Sequence, residues 1–538
     1  MAQQTASSKK PTANGAQPPD HEIAIIGAGL SGIGVGVALV ENGFTDFAIF
    51  ERKADLGGVW RDNTYPGVGV DIPSLAYQFD FLMGSWSRMY AKGHEVKAYV
   101  DQVADHFGVR EHIHFESPVS ERRWNEETHC WELVVNGEIV TARWVISAIG
   151  NFPMARDPQL AGLKDFKGKV LHSTDWDHEY SLHDKRVAVI GTGASGVQLI
   201  PEIAKVADHL TVFQRTPVWV IPKLDPKFGR FVQTVFRRYP SIQSGLQRRV
   251  TKSMTSLISA WVEFEKPSVR RPVHAVTWLL REGFYRRHVP DAALREKLTP
   301  QYGLLCKRPC LSSNYLPTFN RPNVELVTDS IETLTDRGIR SSDGREHEFD
   351  AIVLATGFYN AHDPEPYIAE PVVGADGFDL ATFFAEETIV CYQGVTIPGL
   401  PNNLIVSGPY SATGGTWHDV IKVTGIHAVR LLNAARERGA TRVEVRQEPA
   451  TEFSEWARER LRHSLFQLNS CENANSYYFD RNGETPFLRP STWDEALDAH
   501  TNFPLSDYRF DPLGAGEAAH SAGVLKQTAH EPASAAGS

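Results

Sequence analysis

Cysteine is scarce in this chain of 538 residues: Cys130, Cys306, Cys310, Cys391 and Cys471 are all it has. They show no paired framework, so a disulfide-built secreted scaffold is excluded and a reducing cytoplasm is expected. Cys306 and Cys310 stand four apart with no further ligand-type residues beside them. They read as two unrelated thiols, and no metal site is expected. Long apolar runs are missing too. No stretch of about 18 apolar residues occurs, which excludes an integral membrane segment. Residues 1–20 lack the apolar core of a secretory signal. Together with residues 513–538, rich in Ala, Gly, Ser and His, they read as disordered tails. An excess of positive charge is also absent: the formal net charge is −10, which argues against general nucleic-acid binding.

What is present begins at His21-Glu-Ile-Ala-Ile-Ile-Gly-Ala-Gly-Leu-Ser-Gly32. An apolar run ends at Gly27, a helical stretch follows to about Asn42, and Phe47–Phe50 reads as a second strand ending at Glu51. The pattern recurs at Arg186-Val-Ala-Val-Ile-Gly-Thr-Gly-Ala-Ser-Gly196, followed by Leu210-Thr-Val-Phe213. In such a loop the first glycine (Gly27, Gly191) permits the tight turn. The second (Gly29, Gly193) admits a pyrophosphate, and the third (Gly32, Gly196) lets helix and strand pack closely. The pyrophosphate then rests on the helix N-terminus.

The two units differ where the second strand ends. Glu51 lies 24 residues after Gly27 and can accept hydrogen bonds from ribose hydroxyls. Arg215 lies 24 residues after Gly191 with no acid beside it. A guanidinium there suits a 2′-phosphate, and the Thr216 hydroxyl would add to the phosphate shell. The first unit is therefore expected to take FAD and the second NADPH. No Cys-x4-Cys pair follows the first unit, which removes a disulfide reductase.

The fold class expected is α/β: two Rossmann-like dinucleotide-binding domains with a helical insertion. The expected divisions are 21–151 and 359–512 for the FAD domain, 152–222 and 306–358 for the NADP domain, and 223–305 for the insertion. In the insertion, apolar residues recur at three- and four-residue spacing with Arg between them. Its basic, amphipathic stretches admit contact with a membrane surface; helices packed over the two domains are the plainer reading.

Between the glycine loops lies Phe166-Lys-Gly168-Lys-Val-Leu-His172-Ser-Thr-Asp-Trp176-Asp177. It resembles, at every specified position, the FxGxxxHxxxW(P/D) fingerprint of Baeyer–Villiger monooxygenases. The stretch Gly57-Gly58-Val59-Trp60 through Tyr65-Pro66-Gly67 to Asp71 is similar to a second motif of that family, and Ala355-Thr356-Gly357 to a third. The likeness covers about residues 20–510. It implies an FAD-containing, NADPH- and O2-dependent enzyme that converts ketones or aldehydes to esters or lactones through a C4a-peroxyflavin.

The resemblance also implies roles. Gly58, Val59, Trp60, Asp71 and Tyr77 would line the flavin site, with Val119 at the adenine end. Gly69, Val70 and Asp71 would approach the nicotinamide end of NADP, and Thr192, Gly193, Ala194, Ser195, Gly196 and Gln198 its pyrophosphate. Lys307 would support Arg215 at the 2′-phosphate. Arg308 would be the active-site arginine, with Asp71 orienting it and promoting hydride transfer. Phe166, Gly168, His172, Trp176 and Asp177 would be structural, coupling nucleotide binding to domain position. One departure stands out: Asn475-Ser-Tyr-Tyr478-Phe-Asp-Arg-Asn-Gly483 occupies the place of the family's Trp-x-x-Gly-x-Asn segment, with Tyr478 for the tryptophan. His418 reads as a packed or capping histidine. A monomer or homodimer is expected. Rival readings are oxidation of sulfur or nitrogen in small molecules, and a non-catalytic FAD/NADP redox sensor.

Overall fold

The computed structural model describes residues 18–513, apart from 387, 413–414, 468–470 and 472 and the side chains of 257–261. The two tails read from the sequence thus lie almost wholly outside the described residues.

Two parallel-cored sheets carry the architecture. In the first, His21–Ile26 lies between Phe47–Phe50 and Glu138–Ser147, parallel to both. Asn403–Ile405 also runs parallel to Glu138–Ser147, so the chain returns to this sheet late. Val119–Asn125, Cys130–Val135 and Glu138–Ser147 form an antiparallel meander on one side. The central strand His21–Ile26 is almost entirely buried from Ile23 on. Its run of apolar residues without alternation is what a strand covered on both faces requires.

The second sheet is wholly parallel. Its order is Val324–Val327, His209–Phe213, Arg186–Ile190, Ala351–Leu354 and Lys169–His172. The chain passes between the sheets near Met154–Ala155 and returns at Phe358–Tyr359, and these two short strands pair with each other. The insertion is mainly helical, with helices at Arg230–Arg238, Pro240–Val262, Pro267–Leu279 and Ala292–Leu298. Among the described residues no helix is long and apolar enough to cross a membrane.

One expectation about cysteine is overturned. Cys306 is disulfide-bonded to Cys471 across 165 residues. The sequence hid this pairing because only the fold brings the two Cα atoms to 5.1 Å. Cys130, Cys310 and Cys391 are free and buried, so Cys306 and Cys310 are indeed unconnected to each other.

Candidate active site

Both glycine loops adopt the same geometry. Gly27 and Gly191 have φ of +103° and +106°, a region costly for any residue with a Cβ. A Cβ there would also stand 2.9 Å from the Ala148 carbonyl oxygen or 2.3 Å from that of Ala355. The third glycines leave no room either: a Cβ on Gly32 or Gly196 would meet the carbonyl oxygen of Gly27 or Gly191 at 1.9 or 2.4 Å. The helices that follow, Leu30–Glu41 and Ala194–Ile203, begin without a side-chain cap and without an acid in the first turn. Their first N–H groups therefore remain donors, and the helix dipole favours an anion there.

At the first strand end, Glu51 is buried and accepts hydrogen bonds from the Ala28 N–H at 2.9 Å and the Lys53 N–H at 3.0 Å. Arg61, which the sequence reading passed over, pairs with it at 3.0 Å. Gly58 lies against Gly29 and caps the short helix Val59–Asp62. Trp60 Nε1 donates to the Tyr77 hydroxyl at 3.1 Å. The His418 ring meets Tyr77 edge-on at 4.8 Å, with neither ring nitrogen partnered. Burial without a partner pushes His418 down to about 3, so it is neutral. It is packed, as expected, and forms one wall with Trp60 and Tyr77. Val119 begins a strand close by, where the Ser117 N–H donates to the Glu51 carbonyl oxygen at 2.8 Å.

At the second strand end, Arg215 is exposed and makes no ion pair among the described residues. Lys307 is half-buried beside it. Burial, and then the Arg215 charge, push the Lys307 ammonium below its usual range. Two cations are thus held together with no carboxylate between them. Thr192 Oγ1 donates to the Thr216 carbonyl oxygen at 3.2 Å, joining the loop to this strand end.

The two units meet at the loop from Tyr65 to Asp71. Gln198, on the second unit's helix, donates to the Gly69 carbonyl oxygen at 2.9 Å and accepts from the Tyr65 hydroxyl at 2.9 Å. Lys223 donates to the Val70 carbonyl oxygen at 3.0 Å and stands 4.0 Å from Asp71. The expectation that Asp71 orients Arg308 is not met by contact, since its nearest cation is Lys223. A long-range pair from the insertion carries no local sequence signal.

Arg308 keeps an exposed surface, although many protein atoms stand around it. Burial opposes its charge, while the neighbouring Tyr477 and Tyr478 hydroxyls and the Asp71 carboxylate favour it, so the guanidinium stays charged and lies above the ordinary arginine range. The segment that carries these tyrosines folds over the second site. Asn475 Nδ2 donates to Thr216 Oγ1 at 2.9 Å. Tyr478 is buried among Phe466, Tyr477 and Phe487. The Cys306–Cys471 bond fastens the start of this segment next to Lys307 and Arg308.

The fingerprint residues lie on the edge of the second sheet. Phe166 is buried there, and a Cβ on Gly168 would strike its ring at 2.4 Å and the Asp350 carbonyl oxygen at 2.7 Å. His172 ends the edge strand and accepts at Nδ1 from the Thr174 N–H at 3.2 Å. Trp176 packs half-buried on the core, and Asp177 pairs with Lys169.

Comparison with known proteins agrees with this geometry. The flavin-binding monooxygenase-like family profile matches residues 20–383. A Baeyer–Villiger monooxygenase of Streptomyces coelicolor is 34% identical over 496 residues, covering 90% of this chain and 92% of the relative. Another from Pseudomonas aeruginosa is 34% identical over 459 residues, 84% of each. Among solved structures, OTEMO in complex with FAD and NADP superposes with a TM-score of 0.80 at 27% identity, covering 91% of this chain and 99% of that one. The chain belongs to the flavin-binding monooxygenase-like family, in its Baeyer–Villiger branch.

Proposed function

We propose that the chain converts ketones or aldehydes to esters or lactones, using FAD on the first glycine loop and NADPH on the second. In this reading residues 21–151 and 359–512 form the FAD unit, 152–222 and 306–358 the NADP unit, and 223–305 the insertion. The residues fit both groups. Each loop offers an uncapped helix N-terminus, and Gly193 has nothing within 4 Å of where a Cβ would stand. Glu51 offers carboxylate oxygens to ribose hydroxyls. The uncompensated pair Arg215 and Lys307 suits a phosphate dianion and so prefers NADPH to NADH.

When bound, reduced FAD supplies the electrons that activate O2. The chain's own part is electrostatic and steric. Arg308, charged at every working pH, stabilises the negative charge that develops on the substrate's carbonyl oxygen and on the oxygen being transferred. Asp71, held by Lys223 and Gln198, keeps the loop from Tyr65 to Asp71 in register with the second unit. The segment from Asn475 to Tyr478 covers the cleft and excludes water, which would divert the activated oxygen. The observation that carries this reading is a permanently charged guanidinium whose electrostatic neighbours include both Asp71 and the covering tyrosines, where the two nucleotide units meet.

The test is NADPH consumption by the FAD-loaded protein over linear, cyclic and aryl ketones, with products identified by mass spectrometry. Ketone-dependent consumption with one added oxygen in an ester supports the reading. Oxidation confined to sulfides or amines, or peroxide as the sole product from every ketone, overturns it.

A further inference from the structure

The helical insertion carries chemistry that the nucleotide clefts do not use. From Gly229 to His288 there are twelve Lys and Arg against three Glu, a net charge of +9 in a chain of −10, which leaves −19 on the remainder. Among the described residues only Lys266 and Arg286 of those twelve form ion pairs. Large exposed apolar side chains gather in the same region. Of the twelve such side chains among the described residues, Phe231, Tyr239, Ile242, Val276, Trp278 and Leu279 fall here.

Two patches join these features. On helix Pro267–Leu279 the inward positions Val269, Val273 and Thr277 are half-buried. The outward side presents Trp278, 63% exposed, with Leu279 and Val276. Arg271 and Arg281, at i−7 and i+3, share the Trp278 face. Where helix Arg230–Arg238 turns into Pro240–Val262, Phe231 at 80% exposure, Tyr239 and Ile242 lie among Arg230, Arg237 and Arg238.

We propose that this insertion docks the protein on an anionic lipid surface. Aromatic and aliphatic side chains enter the headgroup boundary while arginines remain at the phosphates. A bilayer uses both features at once. Nucleic acid would engage the charge but give Ile242, Val276 and Leu279 nothing to enter. A second copy of the same face would bring +9 against +9. The −19 on the remaining chain is repelled by the same surface, which fixes the orientation. No described helix spans a membrane, so the attachment is peripheral.

The test is co-sedimentation of the full FAD-loaded chain with phosphatidylcholine vesicles, with and without about 30 mol% phosphatidylglycerol, at low salt and at about 0.5 M salt. Binding to the anionic vesicles alone, weakened by salt, is expected. Trp278→Ala with Leu279→Ala should lower vesicle affinity about tenfold. Arg270→Gln with Arg271→Gln, exposed and unpaired and therefore neutral to folding, should lower it on the order of tenfold to thirtyfold. NADPH oxidation in solution should be unchanged by either pair. Failure to sediment with anionic vesicles at low salt overturns the proposal. So does equal binding to neutral vesicles, a parent oligomer that the patch variants dissociate to monomer, or tighter binding to duplex DNA than to vesicles.

Discussion

The first and second nucleotide units share one backbone device and differ in one charge. Gly27 and Gly191 have nearly the same φ, and each is followed by an uncapped helix. At the same offset the first unit places Glu51, already neutralised by Arg61, and the second places Arg215, with no ion pair among the described residues. In the proposed function the loop makes a dinucleotide site, and the residue 24 positions later would choose the dinucleotide. On that proposal a repeated fold would hold two cofactors in order, because selection would rest on a single strand-end side chain rather than on the fold.

The widest gap between the units should appear in acid. The late half of the first unit buries His362, His427 and His500. Burial holds His362 down to about 4, His427 to about 3, and His500 well below its ordinary value. His427 is locked between His500 at 3.2 Å and the Tyr508 hydroxyl at 2.7 Å. The second unit's His172 and His347 are less enclosed. A free histidine titrates near about 6.5, and above that both states are neutral and stability is complete. As pH falls below it, the unfolded chain binds protons that the folded one refuses, so stability drops toward the folded values. Each group removes about 1 kcal/mol over the first pH unit below that value, so the three together remove about 3 kcal/mol between roughly pH 6.5 and 5.5. FAD release, followed by flavin fluorescence, should precede loss of the second sheet. A melting temperature unchanged from pH 7 to 5 would sink this.

The meeting point of the two units comes next. Arg308→Ala should cut ester formation by about 10²–10³ while leaving FAD content intact. Single-turnover product yield is the readout, and a variant within a few-fold of the parent would remove the assignment. A smaller effect separates the two charges themselves. Arg215→Ala should raise the KM for NADPH by about 10–100-fold, the worth of a hydrogen bond to a charged group, and leave the KM for NADH unchanged. Equal loss with both nucleotides would mean that Arg215 is not at the 2′-phosphate.

Local spacing is what made the two units legible in the sequence. The second strand Phe47–Phe50, the helix after Gly29, and the opposition of Glu51 to Arg215 all depend on residues within one βαβ stretch. What stayed hidden depends on distant partners. The Cys306–Cys471 bond spans 165 residues, Asp71 finds Lys223 from the insertion, and Thr216 meets Asn475 across 259. No period or motif encodes such pairs. The arginine-to-acid contact expected from the motifs alone was replaced by one that only the packed chain reveals. The same holds for the insertion, whose spacing predicted helices but not which faces they would leave open.

The covering segment is where the comparison between the units becomes finest, because among the described residues only the second unit has one tied to its strand end. Asn475 donates to Thr216 Oγ1 with φ of +46°, a left-handed conformation that asparagine tolerates better than most residues. Asn475→Ala removes one neutral hydrogen bond and adds strain at that φ, together worth about 1–2 kcal/mol. Tyr478 and the Cys306–Cys471 bond still hold the segment, so it should open more often without being lost. The expected result is a rise of about fivefold in the peroxide released per NADPH consumed, with the rate of flavin reduction unchanged. Asn475→Gly, which keeps the backbone relaxed but not the hydrogen bond, separates the two contributions. Peroxide release equal to the parent in both variants would mean that the Thr216 contact does not close the cleft, and that the buried tyrosines alone do so.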